Sequence, residues 1–171
     1  IIGTEATFTI APITVFTKTA PFKNGGAAGS HILIQPGDVI TYRLDVVIPT
    51  GDVEAFRIKD YLPEPVFKVE DPDYDGSNSS FANIAQGDTA PAAGQWRYRS
   101  TSYLPSGVSV GSDANDNSLT FNFSDNIEDN AASTARTVSI LFSIQATNLP
   151  KDNGLKIVNL GVATHENSEG T

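Results

Sequence analysis

The stretch Ile40-Thr41-Tyr42-Arg43-Leu44-Asp45-Val46-Val47-Ile48 alternates apolar with mostly polar side chains over its whole length. A period of two residues places successive side chains on opposite faces of a β-strand, whereas an amphipathic helix needs apolar residues three and four positions apart. We therefore predict a half-buried strand over residues 40–48. Its inward face carries Ile40, Tyr42, Leu44, Val46 and Ile48.

The same alternation recurs along most of the chain, and no segment carries a helical stripe of apolar residues. Turn-forming sequences such as Asn24-Gly25-Gly26 and Asp152-Asn153-Gly154 separate the alternating segments. These features predict a single all-β domain over residues 1–171, an antiparallel β-sandwich of roughly eight or nine strands. Besides 40–48, the predicted strands are residues 6–17, 31–34, 53–59, 66–69, 96–99, 119–124, 137–146 and 155–164.

Composition and charge exclude several classes of function. The chain has no cysteine and two histidines, which excludes thiol catalysis and leaves little for a zinc site. Its 20 acidic and 11 basic residues argue against nucleic acid and anionic lipid as partners, and no apolar stretch is long enough for membrane insertion. We expect cations as ionic partners. The composition also favours an extracellular or cell-surface location, for a segment of a longer secreted product.

The sequence offers no nucleophile paired with a base, so we do not expect an enzyme. Gly107-Val108-Ser109-Val110-Gly111 matches the pattern of a hydrolase nucleophile elbow, which needs a strand before the serine and a helix after it. Here the motif leads into a turn and another strand, and the resemblance to an elbow is therefore a coincidence of spacing.

Residues 70–117 interrupt the alternation and predict a long decorated insertion rich in Asp, Gly and Ser. Within it, Asp71-Pro72-Asp73-Tyr74-Asp75-Gly76-Ser77 has the spacing in which alternate carboxylates converge on one calcium ion. We predict a calcium site formed by Asp71, Asp73, Asp75 and Ser77, completed by Glu70, Asp88 or Glu64. The alternative is a solvated acidic turn.

Three aromatic residues of this insertion, Trp96, Tyr98 and Tyr103, suggest a ligand-binding platform for a sugar or a peptide. Aromatic rings supply rigid contact area with a polar edge, which suits such ligands. Packing of the same rings against the core of the sandwich explains them equally well, and the sequence does not decide between the two interpretations.

Four short motifs occur in order along the chain: Thr17-Lys18-Thr19, Pro36-Gly37-Asp38-Val39-Ile40-Thr41-Tyr42, Ile58-Lys59-Asp60-Tyr61-Leu62-Pro63 and Ile157-Val158-Asn159-Leu160-Gly161-Val162. Together they resemble the immunoglobulin-like repeat domains of prokaryotic surface proteins, that is, the DUF11-type repeats and the isopeptide-forming fimbrial domains. The resemblance extends from Lys18 to Ala163 but does not include residues 70–117. It implies an immunoglobulin-like sandwich in a surface stalk, pilus or adhesin, and it implies no enzyme.

The resemblance to fimbrial domains also implies a candidate for covalent chemistry. In those relatives a lysine of the first strand condenses with an asparagine of the last strand, assisted by a buried acid; the matching positions are Lys18, Asn159 and Asp60. Burial favours the neutral forms of an amine and an acid, as that reaction requires. Alternatively, Lys18 is solvated and Asp60 serves the turn before Leu62.

These observations predict a non-enzymatic, calcium-stabilised structural or adhesive module of a cell-surface fibre. Its partners are neighbouring copies or domains of the same fibre, and residues 1–17 form an N-terminal strand region that is either part of its own domain or donated to a neighbour. The alternative function is a calcium-dependent domain that binds a carbohydrate or a peptide.

Overall fold

The computed structural model describes residues 15–48, 53–69, 81–123, 136–149 and 154–166. All regular structure in these ranges is β-strand, and the strands form two sheets packed face to face, which confirms the predicted all-β sandwich. The strands are β1 (Val15–Lys23), β2 (Gly26–Ala27), β3 (Val39–Ile48), β4 (Glu54–Tyr61), β5 (Ala82–Asn83), β6 (Gln95–Tyr98), β7 (Val108–Asp113), β8 (Ser118–Phe123), β9 (Arg136–Gln145) and β10 (Leu160–Glu166).

The first sheet has six strands in the order β2-β1-β3-β9-β6-β5, and the second has four in the order β10-β4-β8-β7. Neighbouring strands are antiparallel except for β5 and β6, which run parallel. The described part of the chain contains no helix with the length and apolar character needed to cross a membrane.

The predicted strand over residues 40–48 is present as β3, and its inward row is buried as expected. β3 pairs along its whole length with β9, whose inward residues interdigitate with those of the second sheet. The fully buried side chains at the centre of the sandwich include Leu44, Ile140, Phe142, Ile58 and Phe121.

The structure differs from the sequence-based prediction in several places. Residues 31–34 and 66–69 form no strand, and β10 begins at Leu160 rather than at residue 155. Residues 66–69 are apolar because the loop packs into the core, where the Asn117 side chain accepts a hydrogen bond from the Val69 amide at 3.0 Å and donates to the Phe67 carbonyl at 2.8 Å. The apolar residues therefore indicate burial of this loop, and the prediction of a strand over residues 66–69 is wrong.

Of the predicted insertion, residues 70–117, the structure describes residues 81–117. This part supplies β5 and β6 to the first sheet and β7 to the second. β7 was missed because its sequence, Val108–Asp113, contains glycine and serine and has only two apolar residues. Its pairing with β8 compensates for the weak local preference.

Candidate functional site

Three polar side chains point into the sandwich from three different strand regions. Lys18 lies on β1 in the first sheet, Asp60 lies on β4 in the second, and Asn159 immediately precedes β10, which pairs with β4. Each residue stands at an inward-facing position of its strand or extended segment. A polar side chain therefore enters the interior from a row of otherwise apolar residues. The neighbouring inward positions are Phe16, Ala20, Ile58, Ile157 and Gly161.

Lys18 and Asp60 form a buried ion pair between Nζ and Oδ2 that connects the two sheets. The Lys18 side chain is 11% exposed and that of Asp60 is 0% exposed. Burial lowers the pKa of Lys18 to about 8, although the charge of Asp60 opposes this. Burial also raises the pKa of Asp60 above its usual value, against the opposing effects of Lys18 and Asn159. Desolvation therefore favours the neutral form of both groups.

The carboxamide of Asn159 lies beside Asp60 and Tyr42, where its hydrogen-bonding effect opposes the rise in pKa of both groups. Within the described residues, neither its nitrogen nor its oxygen forms a hydrogen bond of normal length and angle, although both atoms are fully buried. The second oxygen of Asp60, Oδ1, is also buried and forms no hydrogen bond of normal geometry with the described part of the chain. Each buried polar atom without a partner costs about 1–3 kcal/mol, so this grouping is unfavourable for stability alone.

The site is covered by an aromatic ring. A Cβ atom added at Gly161 would lie 2.6 Å from Cζ of Phe16 and 3.6 Å from Oδ2 of Asp60, so the Phe16 ring packs against the bare backbone of β10 next to the ion pair. Lys18, Tyr42 and Asn159 line one cavity of about 330 Å³ beside it. Glycine at position 161 thus permits a close approach that any other residue would prevent.

The arrangement brings together the components of an amide exchange. A neutral lysine amine is a nucleophile, a protonated carboxyl is an acid, and a carboxamide carbon is an electrophile with ammonia as its leaving group. Water exclusion by Phe16 and the core favours the neutral amine and the neutral acid together. Of the residues predicted from the sequence, Lys18, Asp60 and Asn159 are thus brought into one cluster.

The predicted calcium ligands lie almost entirely outside the described residues: Glu70, Asp71, Asp73, Asp75 and Ser77 all belong to residues 70–80. Asp88 is described, and its exposed carboxylate accepts hydrogen bonds from Arg99 Nε at 3.0 Å and from the Ser100 hydroxyl. These two contacts hold the pKa of Asp88 below its usual value. Within the described ranges, no cluster of three or more acidic or histidine side chains is placed to hold a metal ion.

The aromatic side chains of the predicted platform face inward. Trp96 is 2% exposed and packs edge-on against Phe121, with ring centroids 5.6 Å apart, and Tyr98 is 8% exposed. Tyr103 is half-buried, and the Arg136 guanidinium lies 4.7 Å from its ring centroid. Core packing therefore describes Trp96 and Tyr98, and their ring faces are not available to a sugar.

Sequence reasoning missed the parts that Tyr42, Phe16 and Gly161 take in the site. The alternation placed the Tyr42 ring in the core, but it gave no sign that the Asn159 carboxamide lies beside it. The contact between Phe16 of one sheet and Gly161 of the other depends on how the sheets are packed. The sequence pattern therefore does not predict it.

Comparison with protein-family models, with curated proteins and with solved structures gives no match for this chain.

Proposed function

We propose that this chain is a non-enzymatic structural module of a cell-surface fibre, and that an amide bond between Lys18 and Asn159 cross-links its two sheets. The observation that supports the bond is the fully buried Asn159 carboxamide, without a normal hydrogen bond, beside the buried Lys18–Asp60 pair. Three buried polar atoms that form no hydrogen bond of normal geometry with the described residues are unfavourable in an inert core, whereas groups that are about to react gain their best hydrogen bonds only as the reaction proceeds.

The reaction proceeds without an external reagent. Asp60 takes a proton from Lys18, and the neutral Nζ attacks Cγ of Asn159. The protonated Asp60 carboxyl donates a hydrogen bond to Asn159 Oδ1, on which negative charge develops. A second proton then passes from the attacking nitrogen through Asp60 to Nδ2, the Cγ–Nδ2 bond breaks, and the departing ammonia takes the proton that Asp60 first accepted, so that it leaves as ammonium. One amide replaces another, Asp60 is regenerated, and each chain reacts once.

The position of the bond suits a load-bearing role. β1 lies in one sheet and β10 at the edge of the other, so the bond joins strands that the hydrogen-bond ladders do not join. Force that enters through β1 and leaves through β10 would pass through the bond, and strands β3, β4, β8 and β9 between them would carry no load. The bond would close a loop over residues 18–159. It would raise the free energy of unfolding by roughly 4–5 kcal/mol, because it lowers the entropy of the unfolded chain.

Intact-mass measurement of the full chain tests the bond. We expect the wild-type protein to be lighter than its sequence by one ammonia, and a proteolytic digest to contain a peptide that joins Lys18 to Asn159. Lys18→Met and Asn159→Ala should restore the full mass. Lys59→Met is the matched control, because Lys59 pairs with Asp116 at the surface, and this variant should still lose ammonia. A wild-type chain with the mass of its sequence would disprove the cross-link.

The surface location and the calcium site have separate support. The net charge of −9, the absence of cysteine and methionine, and the acidic spacing of Asp71, Asp73 and Asp75 favour an extracellular calcium-binding module. We expect calcium to raise the melting temperature of the full chain and a chelator to lower it again. Sedimentation with calcium and with the chelator then tests fibre assembly: polymers only with calcium indicate a filament subunit, and monomers in both indicate a module of a longer chain.

A further inference from the structure

Tyr42 is the only residue with a hydroxyl group in the inward row of β3, and it lies next to both reacting side chains. Its ring centroid is 4.7 Å from Lys18 Nζ, and its hydroxyl is beside the Asn159 carboxamide. The ring is held by Phe67 and Phe142, at centroid distances of 6.0 and 5.5 Å. Tyr42 is therefore a fixed element of the cavity that contains Lys18 and Asn159.

Two steps of the amide exchange need help that Asp60 alone does not supply. The plane of the Asn159 amide must be held so that Cγ faces the amine, because an unheld carboxamide rotates about its side-chain bonds. The leaving nitrogen must also gain hydrogen-bonding support as its bond to Cγ breaks. A neutral hydroxyl both accepts and donates hydrogen bonds, and is suited to each step.

The hydroxyl of Tyr42 stays neutral at every pH well below its pKa. Burial raises the pKa of Tyr42 to about 12, although the Asn159 amide opposes this. In the unreacted structure the contact between hydroxyl and amide is not a complete hydrogen bond, as the amide atoms have none of normal geometry. Such contacts in catalytic sites commonly tighten only as the reaction proceeds.

We infer that Tyr42 is a third participant in formation of the Lys18–Asn159 bond: its hydroxyl oxygen accepts a hydrogen bond from Asn159 Nδ2, which orients the carboxamide and stabilises this nitrogen as it is protonated and leaves, while its ring positions Lys18 Nζ. This inference rests on the proposed cross-link. The hydroxyl keeps its own proton, and the balance of the reaction through Asp60 is unchanged.

The test is the rate of bond formation in Tyr42→Phe, which keeps the ring and removes only the hydroxyl. Unreacted full chains are recovered in urea immediately after synthesis and diluted into buffer, and the loss of ammonia is followed by intact mass. Folding is followed in the same sample by the fluorescence of Trp96, the single tryptophan of the chain, which is buried. Tyr98→Phe is the matched control, because Tyr98 is a buried tyrosine of the same sheet whose hydroxyl forms no hydrogen bond with the described residues.

We expect Tyr42→Phe to fold with the wild-type fluorescence change but to form the bond about tenfold more slowly, the effect of one hydrogen bond on a reacting group. Tyr98→Phe should match the wild-type rate. If all three chains react equally fast once folded, or if both variants are slowed equally, the role of Tyr42 is disproved while the cross-link stands. If the wild-type chain loses no ammonia, the cross-link and the role of Tyr42 are both disproved.

Discussion

Strand β4 carries two lysine–aspartate pairs on adjacent residues, and the two behave in opposite ways. Asp60 points inward and pairs with Lys18, whereas Lys59 points outward and pairs with Asp116. The side chains of the inner pair are 11% and 0% exposed, and those of the outer pair are 30% and 37% exposed. The chemical groups are the same, and the main difference between the pairs is their exposure to solvent.

The pKa values show the effect of that difference. In the outer pair, the hydrogen bond to Asp116 raises the pKa of Lys59, and the hydrogen bond from Lys59 lowers the pKa of Asp116, so both charges are favoured. In the inner pair, burial lowers the pKa of Lys18 and raises that of Asp60, so both charges are disfavoured. The outer pair is an ordinary surface salt bridge, and the inner pair is suited to proton transfer.

Removal of each lysine should give the largest contrast between the pairs. We expect Lys18→Met to lower the free energy of unfolding by roughly 4–5 kcal/mol or more, because it removes the cross-link and leaves Asp60 buried without its partner. Lys59→Met should leave stability nearly unchanged, as is usual for exposed pairs. Urea unfolding of both variants measures the difference, and an equal loss in the two would mean that the inner pair has no special role.

Replacement of each aspartate by its amide tests proton transfer at nearly constant shape. Asp60→Asn should slow bond formation about a hundredfold or more, because an amide neither takes a proton from Lys18 nor delivers one to the leaving nitrogen. Asp116→Asn should react at the wild-type rate. The refolding assay with intact-mass detection gives both rates; a fast reaction in Asp60→Asn would show that the acid is not needed.

The pH dependence of the same rate distinguishes the pairs without mutation. The reaction uses one proton shared between Lys18 and Asp60, and that proton is lost above the Lys18 pKa of about 8. We therefore expect the rate to fall about tenfold for each pH unit above this value. The rate should also fall at acid pH, where both Asp60 and Lys18 are protonated. Asp60 then cannot take the proton from Lys18, and the charged amine is not a nucleophile.

Among the described residues, Tyr42 is the other titratable group that faces Lys18, and it changes charge only near its pKa of about 12, so it does not contribute to this profile. The matched control is Lys59→Met. Lys59→Met should reproduce the wild-type profile, because the outer pair takes no part in the reaction. A rate that continues to rise from pH 8 to pH 10 would mean that Lys18 needs only to lose its own proton and that Asp60 does not act as an acid.

The sequence predicted much of the fold because its longest strands alternate apolar with mostly polar side chains. In β3 and β9 each inward position is apolar, and the pattern alone indicates which side faces the core. β7 was not predictable in this way, because an edge strand of alternating half-buried and exposed residues has little apolar signal. The position of β7 is determined by its pairing with β8. This pairing is a property of the folded sheet and cannot be read from the local sequence.

The site was predictable in its members but not in its geometry. The resemblance to fimbrial domains implies Lys18, Asp60 and Asn159 as members, and the alternation over residues 157–161 indicates an inward direction for Asn159. The burial of the pair, the unpaired atoms of the Asn159 amide and the nearby Tyr42 hydroxyl depend on the packing of β1 against β10. Contacts between two sheets join residues far apart in sequence, and no local period encodes them.

The smallest expected effect comes from opening the cover over the inner pair, which should make it more like the outer pair. In Gly161→Ala the added methyl group would lie 2.6 Å from Phe16 Cζ, so the ring must move away and water approaches Asp60. We expect a loss of stability of about 1 kcal/mol, because the half-buried Phe16 ring moves at modest cost.

The kinetic effect of the same substitution is more informative. Water near the pair reduces the desolvation that lowers the Lys18 pKa, so the decline in rate should begin at a higher pH than in the wild-type chain. Gly111→Ala is the matched control, because no atom lies within 4 Å of a Cβ at that position on β7. If Gly161→Ala keeps the wild-type pH profile despite the displaced ring, burial by Phe16 is not what separates the inner pair from the outer one, and the core side chains around Asp60 must account for the difference.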